Sequence, residues 1–457
     1  MDIEARTVGR LTRRLIPFLM LCYFVAYLDR VNVGFAALGM NKALGLTETM
    51  FGLGAGIFFI AYFFFEVPSN LVLERLGASK WIARIMVSWG VVAGAMAFIP
   101  QISHGLGVAP STTYVALRVL LGLAEAGFFP GIIFFLTIWF PARYRGRMIG
   151  WFMAAIPLST VIGGPISGAL LNITGLGMEG WQWLFLIEAL PAIMVGIITF
   201  FYLTDRPDHA TWLPSDERAW LVNRLAAERA QREQTRRFSI IEAISDTRVL
   251  LLAFVYFGIN GTNYGLSFFL PQIVRGFGLS YTLTGFVTAL PYIAGVIGMI
   301  YWGRHSDRTG ERREHFAIAA LVAALGIAGS TLIDNPIGKM ILLTFAGFGI
   351  FGGLPTFWTL PTNFLAGAAA AAGIASVNSL GNLAGFFGPY VMGKVKDATG
   401  SYTVGLLTIA SVSVFAMLVA LSLPHDRKLE GIEEVHAVDE AKSTLAPRRI
   451  REPVELS

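Results

Sequence analysis

The chain has 457 residues, of which 55% are hydrophobic and only 14% charged, with a mean hydropathy of +0.62. A soluble domain carries about 25% charged residues, so this composition excludes a soluble globular protein and makes lipid the main solvent. The net charge of +5 is read through where the basic residues lie along the chain, and no nucleic-acid partner is expected.

In chain order, Arg10, Arg13 and Arg14 precede an apolar run that starts at Leu15. That run is longer than the apolar core of a signal peptide, is interrupted by Asp29-Arg30 and ends in no small-residue cleavage site, so it reads as a first membrane helix. The single cysteine, Cys22, lies inside it and reads as a packed core residue, since it has no disulfide partner and no metal-ligand cluster around it. Each crossing needs about 20 apolar residues. Twelve segments qualify: 15–38, 49–73, 81–100, 112–138, 147–170, 181–203, 247–270, 282–303, 314–334, 339–360, 372–392 and 402–423. The expected fold class is therefore an all-α membrane protein with twelve transmembrane helices. Both termini then lie on one side. Of the 35 Lys and Arg, only Lys42, Arg275, Lys339, Lys394 and Lys396 fall in the opposite loops, and Arg30 and Arg118 fall inside spans. That asymmetry predicts cytoplasmic termini in a cell inner membrane. The segment 204–246 differs in kind. Its stretch Ser215 to Arg237 is rich in Arg, Glu and Ala and predicts an amphipathic cytoplasmic helix. After Pro424 the chain is polar, which predicts a poorly ordered cytoplasmic tail over 424–457.

The chain repeats itself. Glu74-Arg75-Leu76-Gly77-Ala78-Ser79-Lys80 after the second span matches Asp307-Arg308-Thr309-Gly310-Glu311-Arg312-Arg313 after the eighth. Gly164-Pro165 with Gly168 in the fifth span matches Gly388-Pro389 with Gly393 in the eleventh at a similar offset. Two echoes at similar offsets predict two pseudo-symmetric six-helix halves, 1–203 and 247–423, joined by 204–246. The loop Gly303-Arg304-His305-Ser306-Asp307-Arg308-Thr309-Gly310-Glu311-Arg312-Arg313 closely resembles the signature loop of the major facilitator superfamily. The runs Tyr27-Leu28-Asp29-Arg30-Val31-Asn32, Phe65-Glu66-Val67-Pro68-Ser69-Asn70 and Arg118-Val119-Leu120-Leu121-Gly122-Leu123-Ala124-Glu125-Ala126-Gly127 resemble its anion:cation symporter family, which includes tartrate, phthalate, hydroxyphenylacetate and sugar-acid permeases. The resemblance implies the superfamily fold and a permease that imports a small organic anion, with a tartrate-like hydroxy acid slightly favoured.

A charge at mid-bilayer costs about 2.5–3.5 kcal/mol on insertion scales. Asp29 and Arg30 are adjacent on the first span and point about 100° apart; Tyr23, Tyr27 and Arg30 form one stripe, and Cys22, Ala26, Asp29 and Val33 another. At 1.5 Å per residue, Asp29 lies roughly 21 Å from the start of its span and Arg118 roughly 9 Å from the start of the oppositely directed fourth span, which puts both in the same outer third. Asp29 and Arg118 are thus expected partners. Glu125, two turns further and near mid-membrane, is a candidate proton carrier, and Arg30 is expected free to hold a carboxylate. The resemblance implies proton coupling at the positions matching Asp29 and Glu125, and anion binding at Arg30. The competing reading of these charges is a buried ionic network with no role in transport. Glu66 and Glu188 fit a structural or gating role as well as coupling.

Further substrate-binding candidates are Tyr27, Tyr62, Phe357, Trp358, Asn378 and Asn382; Asn378 and Asn382 are four apart and share a helix face. An intramembrane Asn also serves as an ordinary interhelical hydrogen bonder. The resemblance places substrate contacts on the tenth and eleventh spans. Asp29, Arg118 and Glu125 form the proposed coupling set, and Glu74, Arg75, Asp307 and Arg308 in the repeat loops are expected cytoplasmic gates. Glu74 stands where the family has Asp, and Asn70 where its motif often has Gly, so the first gate is expected to be the weaker. No HExxH, GxSxG, metal cluster or P-loop appears, so an enzyme, a cofactor and ATP coupling are not expected. A sensor or a channel is the other class, disfavoured by the repeated gate loops and buried acids. The expected partners are a proton, the anion and the bilayer, with the chain acting as a monomer. Sodium in place of the proton and an aromatic acid in place of a hydroxy acid stay open.

Overall fold

The computed structural model describes residues 3–233, 246–364 and 368–423, and regular structure among them is helical apart from one isolated bridge between Gly175 and Met178. The first half contains α1 (Ile3–Leu44), α2 (Glu48–Leu76), α3 (Ala78–Ala95), α4 (Ile99–Leu106), α5 (Pro110–Glu125), α6 (Phe128–Trp139), α7 (Ala142–Met153), α8 (Ala155–Leu170) and α9 (Gly180–Tyr202). After α10 (Ser215–Glu233) come α11 (Thr247–Arg275), α12 (Tyr281–Thr309), α13 (Arg313–Ser330), α14 (Pro336–Phe364), α15 (Ala368–Asn382), α16 (Ala384–Thr399) and α17 (Thr403–Ser422). Among the described residues, eleven stretches are long and apolar enough to cross a bilayer, three of them composite: α3–α4, α5–α6 and α7–α8. The remaining expected crossing, 372–392, is built from α15 and α16, which break at Leu383.

The sequence repeat reappears as local structure. Thr47 and Ser280 begin α2 and α12 in the same way, each accepting a hydrogen bond at 3.2 Å from the backbone N–H three residues on. Gly77 and Gly310 end those helices with φ of 93° and 74°, a left-handed turn that a residue with a Cβ resists. The fourth crossing is interrupted instead of continuous. Gly127 has φ 88°, and a Cβ there would sit 2.3 Å from Ser69 Oγ, so α5 stops at Glu125 and α6 begins at Phe128.

At the end of the bundle away from the N-terminus, the two halves touch backbone to backbone. A Cβ at Gly52 would lie 2.3 Å from the carbonyl oxygen of Pro389, one at Gly285 2.3 Å from that of Gly164, and one at Gly168 2.5 Å from that of Tyr281. Both Gly-Pro echoes therefore fall on the seam between halves, where small residues let helices approach closely without a hydrophobic driving force. The carboxylate of Asp397 closes the same end, accepting from the N–H groups of Glu48 (3.1 Å) and Thr49 (2.8 Å) at the start of α2.

The opposite end, which carries the N-terminal arginines, is here called the basic end. Helix α10 docks on it: Arg10 bonds Glu217 at 3.1 Å, Arg6 pairs with Asp216 at 3.3 Å, and Glu228 receives Arg145 at 3.2 Å and the N–H of Ala142 at 3.1 Å. Leu221 of this helix and Leu213 just before it are buried. The expected helix Ser215 to Arg237 is present as far as Glu233; its last residues and the tail 424–457 lie outside the described residues.

Candidate functional site

Between the halves lies a cavity. Helix α1 contributes Tyr23, Tyr27 and Arg30, α2 contributes Phe58, Phe59 and Tyr62, and Phe129, Met153 and Ile156 complete the first-half wall. The second-half wall is Tyr256, Asn260, Asn263 and Tyr264 from α11, Leu354 from α14, and Asn378 and Asn382 from α15. The helical period puts Tyr23, Tyr27 and Arg30 on one face, and all three reach the cavity as the stripe predicted.

Arg30 is the centre of the arrangement. Its Nη2 is ion-paired with Glu125, and its Nη1 donates to the Tyr264 hydroxyl at 3.1 Å, across the interface between halves. The guanidinium carbon lies 5.2 Å from the ring centroid of Phe58, 5.6 Å from Tyr27, 5.8 Å from Phe59 and 5.9 Å from Tyr62. Rings at these distances attract a cation electrostatically while excluding water. Glu125 can reach Arg30 because it is the last residue of α5, immediately before the Gly127 break.

Two sequence expectations fail at this point. Asp29 and Arg118 do not pair. Arg118 donates from Nε to the carbonyl of Gly54 at 3.0 Å and from Nη2 to that of Ala55 at 3.1 Å, bracing α5 against α2. Asp29 instead accepts from Trp89 Nε1 of α3 at 2.8 Å. The depth estimate put both residues at one height, but height does not fix the direction each points around its helix. Asp29 faces α3, and Arg118 faces α2. Nor is Arg30 free, since Glu125 holds it.

Asp29 belongs to a second buried polar group inside the first half. Glu188 accepts from Ser167 at 2.6 Å, and Asn32 lies one turn from Asp29 on the same face of α1. Among the described residues Asp29 Oδ1 accepts no hydrogen bond, and Asn32 interacts with Glu188.

Of the remaining expected contacts, Tyr62, Asn378 and Asn382 line the cavity, and Phe357 and Trp358 do not. Phe357 is fully buried and stacks on Tyr256 at 5.0 Å and 9°, with Trp358 edge-on to the same ring at 4.9 Å. They stand behind the wall and support Tyr256.

The sequence reading missed α11. Tyr256, Asn260, Asn263, Tyr264 and Ser267 recur at helical spacing on one crossing, a polar stripe that was visible but carries no charge. Asn263 donates to the Tyr27 hydroxyl at 3.1 Å and accepts from Ser267 at 3.2 Å, and Asn260 donates to Asn382 at 3.2 Å.

At the basic end, Glu74, Arg75, Asp307 and Arg308 are all exposed. Asp307 pairs with Arg312 of its own loop at 2.6 Å. The start of α3 is capped by Asp205, which accepts from the Ser79 N–H at 2.7 Å. Glu74 lies exposed on the last turn of α2.

A family model described as Major Facilitator Superfamily matches residues 19–389. A protein of Agrobacterium vitis named "Putative tartrate transporter" is 52% identical over 423 residues, covering 92% of this chain and 95% of its own length. The "Inner membrane transport protein RhmT" of Escherichia coli is 40% identical, over 93% of this chain and 96% of its own. Among solved structures, the E. coli xylose transporter XylE in a partially occluded inward-open conformation superposes with a TM-score of 0.71 at 13% identity, covering 92% of this chain and 99% of that one. An inward-facing bacterial homologue of Spinster gives 0.70 at 16%, covering 93% and 97%. This multi-pass membrane chain therefore belongs to the Major Facilitator Superfamily of transporters.

Proposed function

We propose that the protein is a proton-coupled symporter that imports a small hydroxylated carboxylate, tartrate-like in character, by alternating access. The single observation that carries this reading is the Arg30–Glu125 pair in the cavity wall. Glu125 and a substrate carboxylate compete for one guanidinium. When a proton binds Glu125, the acid becomes neutral and releases Arg30, which then takes the incoming carboxylate as a two-pronged partner. Proton and anion enter together because each makes room for the other. Asp29, beside Arg30 and without a basic partner among the described residues, is the second acid of the coupling set. Arg118 serves by bracing the helix that carries Glu125.

The distribution of Lys and Arg supports a cytoplasmic basic end and an inner-membrane location with both termini inside. The closed seam at the far end then corresponds to an inward-directed state, and outward opening requires the Gly52–Pro389 and Gly164–Gly285 contacts to part. The hydroxy-acid reading is supported by the amides and phenols of the second-half wall and by the printed name of the A. vitis relative. An aromatic carboxylate is the second reading, favoured by Phe58, Phe59 and Phe129 at the cavity.

The test is uptake of labelled tartrate into proteoliposomes under imposed gradients. An inward proton gradient should drive accumulation. A sodium gradient that drives it when a proton gradient does not defeats the proton reading. Glu125→Gln should abolish gradient-driven accumulation while keeping substrate exchange, and its binding of anion should no longer vary with pH.

A further inference from the structure

Four asparagines line the cavity, and an asparagine side chain shows the substrate either a carbonyl acceptor or an amide donor depending on which way its amide is turned. For three of them the protein leaves that choice open. Asn260 donates to Asn382, and the two amides can reverse together. Asn263 lies between the hydroxyls of Tyr27 and Ser267, each of which can donate or accept. Asn378 is different. Its Nδ2 donates at 3.1 Å to one oxygen of Glu66, whose other oxygen accepts from Ser379 Oγ at 2.8 Å. When Glu66 is ionised its carboxylate only accepts, and the amide nitrogen of Asn378 then faces Glu66, as the bond at 3.1 Å has it. Its carbonyl oxygen is left toward the cavity that Asn378 lines.

Glu66 is itself buried, one turn beyond Tyr62 on α2, and the bond to Asn378 crosses from the first half of the chain to the second. Tyr62 and Asn378 thus reach the cavity from opposite halves beside the same carboxylate.

We propose that Glu66 is a positioning residue for specificity: it fixes the Asn378 carbonyl toward the substrate and so makes the site select carboxylates that present a hydroxyl donor over their deoxy counterparts. This rests on the hydroxy-acid reading above and gives it a physical origin. A fixed acceptor rewards a hydroxyl and gains nothing from a methylene, whereas an amide free to turn would accommodate either donor or acceptor.

The experiment compares tartrate with succinate, the same dicarboxylate without hydroxyls, by competition binding to the purified full chain. Wild type should prefer tartrate. Glu66→Ala should lower tartrate affinity about five- to tenfold, the worth of roughly one hydrogen bond, with succinate unchanged. Glu66→Gln should narrow the preference as well, because the amides at 66 and 378 can reverse together just as those of Asn260 and Asn382 can. Equal losses for both ligands in Glu66→Ala would make Glu66 merely structural and overturn the proposal. Loss of gradient-driven uptake in Glu66→Gln with the tartrate preference intact would make it a proton carrier and also overturn it. Wild type binding neither acid would instead sink the hydroxy-acid reading, a result distinguishable from either.

Discussion

The two walls of the cavity are built from different chemistry. The first-half wall holds charge: Arg30 lines it, Glu125 pairs with Arg30, and aromatic rings screen them from water. Among the described residues the second-half wall holds none; Asn260, Asn263, Asn378, Asn382, Tyr256 and Tyr264 offer neutral donors and acceptors. A buried charge must be compensated at every stage of a transport cycle, whereas a neutral amide can lose one partner and take another at a cost of about 1–3 kcal/mol. On the proposed mechanism, keeping the titratable chemistry in one half confines protonation to the helices that carry Arg30, Glu125 and Asp29. The other half is left to read the shape and polarity of what is carried.

The sharpest way to break this division is to remove the charge. Arg30→Ala should abolish anion binding, a loss of at least about 100-fold. It should also destabilise the protein by about 3–5 kcal/mol, because Glu125 is left buried without its partner. The double variant Arg30→Ala/Glu125→Gln removes the stranded charge and should recover most of the thermal stability without recovering binding. Thermal unfolding and ligand binding on the same samples separate the two effects. Unchanged affinity in Arg30→Ala would remove Arg30 from the site altogether.

A smaller effect is expected on the neutral wall. Asn263→Ala breaks the bonds to Tyr27 and Ser267 and should weaken substrate binding about five- to tenfold. Its pH profile of uptake should superpose on that of wild type. A shifted profile would mean that the second half takes part in coupling and that the division between the walls is not real.

How much of this the sequence reveals depends on the kind of residue. Twelve crossings, the repeat and the exceptional charges are one-dimensional signals, and each is strong because lipid penalises departures from it. Arg30 and Tyr27 could be placed together because three- and four-residue spacing on one helix sets a shared face. The Asp29–Arg118 expectation failed because it compared residues on different helices, where depth is calculable and azimuth is not. Asn260, Asn263 and Tyr264 were legible as a stripe on one crossing, but uncharged residues do not announce themselves against the insertion penalty. The Glu66–Asn378 bond, between residues 312 positions apart, needed the packing of α2 against α15 to be seen.

The smallest effect belongs to an acid of the second half, Asp397, and it sharpens the comparison because this acid lies outside the membrane crossings. Partial burial pushes its carboxyl upward. The hydrogen bonds from Thr49, Glu48 and Thr47 at the start of α2 outweigh that and hold it below the usual carboxylate range. A group with a lowered value contributes its stabilisation above its ordinary pKa and loses it only as pH falls through the lowered one. Asp397 therefore stays ionised throughout the neutral and mildly acidic range, bonded to fixed backbone donors that cannot exchange protons with it. Asp397→Asn should weaken closure of the far end by about two- to fivefold, the range for an anion at an exposed helix N-terminus. Added salt should shrink the difference from wild type, since the site is open to water. Distance measurements between spin labels at the tips of α1 and α11 would report the closed fraction. The variant should show the same small shift at neutral and mildly acidic pH. A shift that vanished on mild acidification would show Asp397 to be taking up protons in the working range, and would place a titrating acid in the half whose cavity wall carries no charge.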